Sequence, residues 1–255
     1  MKTPKVVMLA AGEGSRLRPY TNNRPKCLVE VDGVSILQRQ LSVLKKANIN
    51  EIVLIGGYKS QMLEGMATRL YKNPRYDKTN MVYTLFCAES ELHSDALLCY
   101  GDIVYSSKAL NAILKSEADI SVVIDLDWAT YWQARSENPL DDAETLKLNE
   151  KGHIIEIGQK PKTMAEIEGQ YIGLMKFTTE GLRILRNEYK EAQKIGFIRG
   201  KDIERAYMTD LLQLLIDKGH TLVSVPIHGG WLEVDTVADL ENSITIQRAQ
   251  EIASE

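Results

Sequence analysis

The segment from residue 9 to residue 26, LAAGEGSRLRPYTNNRPK, combines a glycine-rich loop with several cations and follows a continuous apolar run. Glycines let backbone N–H groups converge on an anion, and the small alanines leave room for a base or a ribose against the main chain. Arg16 offers a planar fork that suits phosphate oxygens, and Lys26 offers a compact point charge. The segment therefore predicts a loop that binds a nucleoside triphosphate. The residues assigned to the nucleotide here are Leu9, Ala10, Ala11, Gly12, Gly14, Ser15, Arg16 and Lys26.

Two common phosphate-binding motifs do not fit the same residues. The dinucleotide-binding fingerprint needs a third glycine where this chain has Leu17, and a P-loop needs a Gly-Lys-Ser/Thr run that Arg16-Leu17 does not supply. A nicotinamide oxidoreductase is therefore disfavoured. The structural alternative for the segment is a tight strand-to-helix turn that carries surface cations.

Apolar runs and helical periodicities indicate the elements that must position this loop. The first half predicts strands at 6–10, 52–55, 81–88, 96–100 and 120–124, and helices at 36–47, 59–71 and 108–114. The second half predicts a hairpin at 145–157, strands at 170–177 and 222–227, and helices at 179–193, 209–218 and from 236 to the end, the last with Thr236 and Asp239 as a cap. This alternation indicates an α/β fold with a mixed, mostly parallel sheet and helices on both faces.

Composition and charge limit the classes of protein that fit. The chain has 255 residues, of which 44% are hydrophobic and 26% charged, and its formal net charge is −4. These values are those of an ordinary globular protein, and the negative charge argues against general nucleic-acid binding. No apolar run approaches the roughly 18 residues of a membrane span. The three cysteines form no CxxC pair, and we expect Cys87 and Cys99 in the core of a reduced, cytoplasmic protein.

The loop LAAGEGSRL followed by RPK resembles the signature of the nucleoside-triphosphate transferase family, the sugar-phosphate and phosphocholine nucleotidyltransferases. The family pattern is a run of small residues, GxGxRL and then a Pro-Lys pair, and the chain keeps all of it. The resemblance extends over nearly the whole chain. It implies a Rossmann-like nucleotidyltransferase fold, with residues 1–255 as one domain and an acceptor-binding excursion around 125–207.

The resemblance also implies a magnesium site. Asp102 follows an apolar strand at the end where open α/β sheets place ligands, and family members carry a Gly-Asp at this point. The segment Trp231 to Asp235 is similar to the family's W-x-E-x-D, whose aspartate completes the metal site. Asp102 and Asp235 are therefore predicted to hold Mg²⁺, with Glu233 in support. The structural alternatives are a turn at Asp102 and a helix cap at Asp235.

The acceptor side is predicted from four further segments. Lys160, in a Gln-Lys-Pro run where sugar-phosphate members carry Glu-Lys-Pro, is expected to hold the acceptor phosphate, and the missing glutamate disfavours a sugar 1-phosphate. Tyr171 and Gly173 belong to a YxGxxKF strand that resembles phosphocholine-type cytidylyltransferases. Trp128 and Trp132, with acidic residues at 141–144, suit a cationic amine. The alternative is that these tryptophans pack against the sheet. The acceptor residues are Trp128, Trp132, Lys160, Tyr171, Gly173 and Glu233.

The predicted function is that of a magnesium-dependent cytidylyltransferase. It transfers CMP from CTP to a small phosphorylated or phosphonate acceptor that carries an amine, such as phosphocholine, 2-aminoethylphosphonate or glutamine phosphate. Lys26, Arg16 and Lys160 are its catalytic residues, and Asn80, Glu89 and Asp102 are added to the nucleotide side. A sugar-1-phosphate uridylyl- or thymidylyltransferase and a non-catalytic nucleotide-sensing subunit remain as alternatives. A homodimer and a role in capsule or cell-surface polysaccharide biosynthesis are further expectations from the resemblance.

Overall fold

The computed structural model describes residues 3–136 and 138–255. Within these residues the strands are β1 Lys5–Ala10, β2 Glu30–Val31, β3 Val34–Ser35, β4 Ile52–Gly56, β5 Arg69–Lys72, β6 Ala96–Tyr100, β7 Ile103–Tyr105, β8 Ile120–Asp125, β9 Leu146–Leu148, β10 His153–Ile157, β11 Gln170–Phe177, β12 Phe197–Ile198, β13 Lys201–Asp202, β14 Leu222–Ile227 and β15 Trp231–Glu233. The α-helices are α1 Ile36–Lys46, α2 Met81–Phe86, α3 Ser107–Leu114, α4 Trp128–Arg135, α5 Thr179–Ile195, α6 Met208–Asp217, α7 Val237–Glu241 and α8 Ser243–Ser254. None of these helices is both long and apolar enough to cross a membrane.

A nine-stranded sheet forms the centre of the molecule, in the order β5-β4-β1-β6-β11-β8-β14-β10-β9. All of its strands except β11 and β10 point the same way. The predicted mixed, mostly parallel sheet is therefore confirmed. The segment 125–207, which was predicted as an acceptor-binding excursion, contributes β9, β10 and β11 to this sheet.

Both faces of the sheet are covered by helices, as predicted. Alternate residues of β1 point to opposite faces, so Val6 and Met8 join one apolar cluster while Val7 and Leu9 join the other. The first cluster includes apolar side chains of α1, α3, α4 and α8, and the second includes those of α2, α5 and α6. Burial on both faces explains why the strand reads as a continuous apolar run.

Three predicted elements differ in the structure. The helix expected at 59–71 is a single 3₁₀ turn, Ser60–Leu63, followed by β5, because Lys59 and Gly65 adopt left-handed backbone conformations. The strand expected at 81–88 is the helix α2, because the side chain of Asn80 accepts a hydrogen bond from the N–H of Met81 and caps it. A short apolar run does not distinguish a strand from a buried helix.

The third difference is a break in the last helix at Asn242. This residue has an extended backbone and caps α8 with its side chain, which accepts a hydrogen bond from the N–H of Ile244. The predicted cap of Thr236 and Asp239 is present as a capping box at α7. Cys99 is buried as expected, whereas Cys87 is only partly buried.

The parallel strands β1 and β6 position the site. Leu9 pairs with Tyr100, and the N–H of Gly101 donates to the carbonyl of Leu9 at 2.9 Å. A Cβ on Gly101 would lie 2.8 Å from that carbonyl oxygen and 3.0 Å from the Cα of Ala10. The glycine therefore lets the chain leave β6 directly beside the end of β1, and it brings Asp102 next to the glycine-rich loop.

Candidate functional site

The glycine-rich loop folds back on Lys26. Gly14 has a φ of +66°, a left-handed conformation that favours glycine. Its carbonyl accepts a hydrogen bond from the Thr21 hydroxyl at 2.8 Å. The N–H of Lys26 donates to the carbonyl of Gly12 at 3.4 Å, and a Cβ on Gly14 would lie 3.1 Å from the Cβ of Lys26. The loop therefore packs closely on the lysine stem and fixes where its ammonium can reach.

Four of the predicted site residues form one charged cluster. The ammonium of Lys26 lies 2.6 Å from a carboxylate oxygen of Asp102 and also contacts the carboxylate of Asp235. The guanidinium of Arg16 lies 3.4 Å from the same oxygen of Asp235. Residues from three distant parts of the sequence, after β1, after β6 and after β15, thus meet at one point, as the motifs predicted.

The charges of this cluster shift one another's pKa values. Burial alone would lower the pKa of Lys26, but the carboxylates of Asp102 and Asp235 raise it above its ordinary value. Burial alone would raise the pKa of Asp235, but the cations of Lys26 and Arg16 lower it on balance. Both groups are therefore charged at neutral pH.

The donor set fits a divalent cation. Asp102 and Asp235 direct carboxylate oxygens at one cation, the ammonium of Lys26, and Mg²⁺ binds one or two carboxylates together with substrate phosphates. Asp235 is also within 4.8 Å of Asp142 and Glu233, counted between carboxylate oxygens. Asp142 belongs to the acidic run at 141–144 that was predicted for the acceptor's amine, and it was not predicted for the metal. The carboxylate of Asp235 does not cap α7, because Thr236 holds that position.

A cavity of about 200 Å³ lies beside the cluster. Its lining includes five residues that were predicted for the nucleotide, namely Leu9, Ala11, Gly12, Asn80 and Asp102, and five that were not, namely Tyr76, Thr79, Met81, Thr84 and Tyr100. Of the other described nucleotide residues, Ala10, Gly14 and Ser15 belong to the loop but not to the lining. Glu89 lies outside the site, where its carboxylate pairs with Lys190 of α5 at 3.3 Å.

A second cavity of about 160 Å³ adjoins the first and shares Met81 and Tyr100 with it. Its remaining lining is Trp132, Asp142, Glu144, Gln170, Tyr171, Tyr207, Thr209, Glu233 and Asp235. Three predicted acceptor residues, Trp132, Tyr171 and Glu233, are therefore brought together here. Because Asp102 lines the first cavity and Asp235 the second, the charged cluster stands where the two meet.

The other three predicted acceptor residues lie elsewhere. Trp128 is buried in the core and packs edge-on against Trp132, as the structural alternative had it. The ammonium of Lys160 donates to the backbone carbonyls of Leu140 and Asp141, the latter at 2.6 Å. Gly173 has a φ of +81°, and a Cβ there would lie 2.5 Å from the Tyr100 ring. This glycine therefore makes room for a tyrosine rather than for a ligand.

Arg135 was not predicted, and it contacts two residues that line the second cavity, Trp132 and Glu233. Its guanidinium lies 5.1 Å from the ring centroids of both Tyr131 and Trp132, and it pairs with Glu233 and, at 2.9 Å, with Asp239. The Trp132 face that was expected to meet the acceptor's amine is thus already paired with an arginine. The sequence held no signal for this pairing, because α4 and β15 are about 100 residues apart.

Asp239 connects Arg135 to the charged cluster. Its carboxylate accepts hydrogen bonds from the N–H groups of Asp235 at 3.0 Å and Thr236 at 2.9 Å, and from Arg135. The pair formed by Arg135 and Asp239 therefore fixes both Glu233 and the backbone of Asp235. The capping-box spacing was the signal that located Asp239 in the sequence.

Glu144, from the acidic run at 141–144 that was predicted for the acceptor's amine, lines the second cavity. Burial, together with the neighbouring carboxylate of Asp210, raises its pKa to about 7, and the hydroxyl of Thr209 opposes this shift. Burial likewise raises the pKa of Glu233, against the opposing charge of Arg135. The second cavity therefore has acidic groups whose charge changes near neutral pH.

We expect Glu144→Gln to stabilise the fold at pH 8 and not at pH 4. A raised pKa in the folded state means that the carboxyl contributes stability below its unfolded pKa, and that this stability is lost as the pH rises through about 7. Glutamine never ionises, so the variant avoids this loss and gains up to about 3 kcal/mol at pH 8. Urea unfolding at both pH values measures the difference. An equal effect at both would contradict the assignment.

Comparisons with known proteins place these features in a family. Residues 6–152 match the model of the MobA-like NTP transferase domain. The chain is 39% identical over 249 residues to a CTP:phosphoglutamine cytidylyltransferase of Campylobacter jejuni, which covers 93% of this chain and 98% of the relative. It is 33% identical over 116 residues to a choline-phosphate cytidylyltransferase of Streptococcus pneumoniae, which covers 44% of this chain and 51% of the relative.

Solved structures show the same fold. The inositol-1-phosphate CTP transferase from T. maritima aligns with a TM-score of 0.75 and 21% identity, over 98% of this chain and 96% of that one. The CTP:phosphocholine cytidylyltransferase from Streptococcus pneumoniae aligns with a TM-score of 0.68 and 20% identity, over 93% and 96%. The Rossmann-like nucleotidyltransferase fold is therefore confirmed.

Proposed function

Since this chain belongs to the family of MobA-like NTP transferase domains, we propose that it is a cytidylyltransferase. It transfers CMP from CTP to a small phosphorylated acceptor that carries an amine, and it releases pyrophosphate. The observation that carries this proposal is the meeting of two cavities at the cluster of Lys26, Asp102 and Asp235. A donor in one cavity and an acceptor in the other would react at that point. Together the two cavities draw on residues between Leu9 and Asp235, which supports the action of the chain as one domain.

The reaction needs positioning and charge more than it needs a base. An oxygen of the acceptor phosphate attacks the α-phosphorus of CTP, and the bond from that phosphorus to the bridging oxygen of pyrophosphate breaks. The acceptor phosphate is already largely ionised at neutral pH, because its second pKa is about 6. Lys26 would stabilise charge on the α-phosphate, and Arg16 would hold the β- and γ-phosphates. Mg²⁺, held by Asp102 and Asp235, would neutralise further phosphate charge.

The acceptor cavity supports an acceptor with a positive charge. Asp142, Glu144 and Glu233 line it, and Arg135 neutralises only the last of them directly. Because Arg135 covers the Trp132 ring, the carboxylates rather than the indole would bind the amine. A phosphoglutamine acceptor fits these charges and is the substrate named for the relative from Campylobacter jejuni. At pH 8 the variant Glu144→Gln is expected to raise KM for such an acceptor about tenfold and to leave KM for CTP unchanged.

The activity is tested by pyrophosphate release with Mg²⁺. CTP, UTP, ATP, GTP and dTTP are each combined with phosphoglutamine, phosphocholine, 2-aminoethylphosphonate and glucose 1-phosphate. We expect release with CTP and phosphoglutamine. Release only with glucose 1-phosphate would overturn the amine-bearing acceptor. Absence of release with every pair, together with binding of CTP, would favour a nucleotide-sensing subunit.

The metal requirement is tested with the variant Asp235→Asn. Loss of one carboxylate charge is expected to raise the Mg²⁺ concentration for half-maximal CMP transfer at least tenfold, because an amide oxygen binds a hard cation more weakly than a carboxylate does. The matched control is Asp210→Asn, a buried aspartate of α6 that pairs with Lys201 instead. A similar shift in both variants would remove Asp235 from the metal site.

A further inference from the structure

Lys26 makes close contacts with both of the carboxylates that are proposed to hold the metal. Its ammonium contacts Asp102 and Asp235 at the same time, and the side chain is only 12% exposed. Two partly buried carboxylates that face one point need a cation there, because an uncompensated charge in such a place is strongly destabilising. In the structure Lys26 supplies that cation.

The same oxygens cannot serve Lys26 and a divalent cation together. A cation between Asp102 and Asp235 would stand next to the ammonium, and two like charges at such a distance repel strongly in a partly buried site. The ammonium can leave the two carboxylates, because the lysine side chain has rotatable bonds beyond the Cβ and Cγ that lie against Gly14. The incoming phosphates offer the ammonium a new partner.

We infer that Lys26 is an exchangeable counter-ion of Asp102 and Asp235, and that it competes with the divalent cation for these carboxylates until nucleotide draws it away. This inference rests on the proposed function for the identity of the metal ligands. It assigns Lys26 a positioning role before the reaction, because the lysine holds the two carboxylates in place. In the free protein, Lys26 also lowers the affinity of Asp102 and Asp235 for the divalent cation.

The test is Mn²⁺ binding to the full chain without nucleotide, measured by electron paramagnetic resonance. Lys26→Met keeps most of the stem and removes the charge, and it is expected to bind Mn²⁺ at least tenfold more tightly than the wild type. Lys26→Arg keeps a cation and should bind Mn²⁺ as weakly as the wild type. The double variant Lys26→Met with Asp235→Asn should lose the gain.

Lys5→Met is a matched control. Lys5 is also 12% exposed and also pairs with two carboxylates, Glu91 at 2.9 Å and Glu51 at 3.9 Å, but it lies at the opposite end of β1. Both methionine variants should have a lower Tm than the wild type in EDTA. Mn²⁺ should restore the Tm of Lys26→Met and leave that of Lys5→Met unchanged.

Equal Mn²⁺ affinity in the wild type and in folded Lys26→Met would overturn the inference. If Lys26→Met does not fold, Lys26→Gln provides the same comparison, because its amide keeps hydrogen-bond donors for the carboxylates without the charge. The assay contains neither donor nor acceptor. A gain in Mn²⁺ affinity without any CMP transfer by the wild type would therefore uphold the counter-ion and refute only the proposed reaction.

Discussion

Replacement of Lys26 by alanine is expected to lower kcat for CMP transfer by about 10³-fold. Its ammonium is the one cation that contacts both Asp102 and Asp235 in the described part of the chain. Loss of a preorganised charge at a site where negative charge develops typically costs 10²–10³-fold in kcat. The expected loss is at the upper end of this range, because without the ammonium the two carboxylates also repel each other and move apart. Steady-state pyrophosphate release at saturating CTP measures it.

The loss should come from chemistry rather than from unfolding. Alanine removes methylenes that pack against Gly12 and Gly14, so circular dichroism and thermal unfolding must show that the variant is folded. Lys26→Arg keeps the charge but changes its geometry, and it should retain more activity than the alanine variant. A folded alanine variant with kcat within threefold of the wild type would exclude Lys26 from the mechanism.

The donor side of the site could be predicted because its signals are local in the sequence. The loop, Lys26 and the Gly-Asp at 101–102 are each tied to the end of a buried strand, and parallel neighbours bring such ends together at one edge. The glycines in these motifs have steric reasons that the structure shows, namely a left-handed turn at Gly14 and a close strand exit at Gly101.

The acceptor side could be predicted only in part because it depends on contacts between distant elements. Arg135 meets Glu233 and Asp239 across about 100 residues, and no spacing in the sequence indicates that pairing. The interpretation of the tryptophan pattern as an amine site has the same cause, because the cation that meets Trp132 comes from within the chain. An aromatic beside acidic residues is typical of a cation partner, and here the cation is an arginine of the chain itself.

The errors in secondary structure have the same origin. The run at 81–88 is apolar enough for a strand, but it forms a helix whose N-terminus is capped by the side chain of Asn80. The stripe of Met62 and Met66 fits a helix by period, but both side chains are more than a third exposed and bury little surface against the sheet. Periodicity indicates which face could be buried, whereas tertiary packing decides whether it is.

Gly101→Ala should lower both the stability and the activity, although it adds only one methyl group. The new Cβ would lie 2.8 Å from the Leu9 carbonyl oxygen and 3.0 Å from the Cα of Ala10, and neither backbone atom can move without shifting β1. Overpacking of this kind costs about 1–3 kcal/mol. Because Asp102 is the next residue, the relief of the clash displaces its carboxylate from Lys26, and a misplacement of about 1 Å can cost 10²-fold in rate.

A matched glycine separates this steric effect from the general effect of the substitution. Gly169→Ala also adds a methyl group, but the nearest atom is the flexible end of Ile124 at 3.1 Å, so it should cost less than 1 kcal/mol. We therefore expect Gly101→Ala alone to lose about 10²-fold in kcat and about 2 kcal/mol in the free energy of unfolding. Loss of stability with full kcat would mean that the clash is relieved away from Asp102, at β1. If neither kcat nor the free energy of unfolding falls, the close approach of Gly101 to β1 is not the reason for the glycine in the Gly-Asp motif.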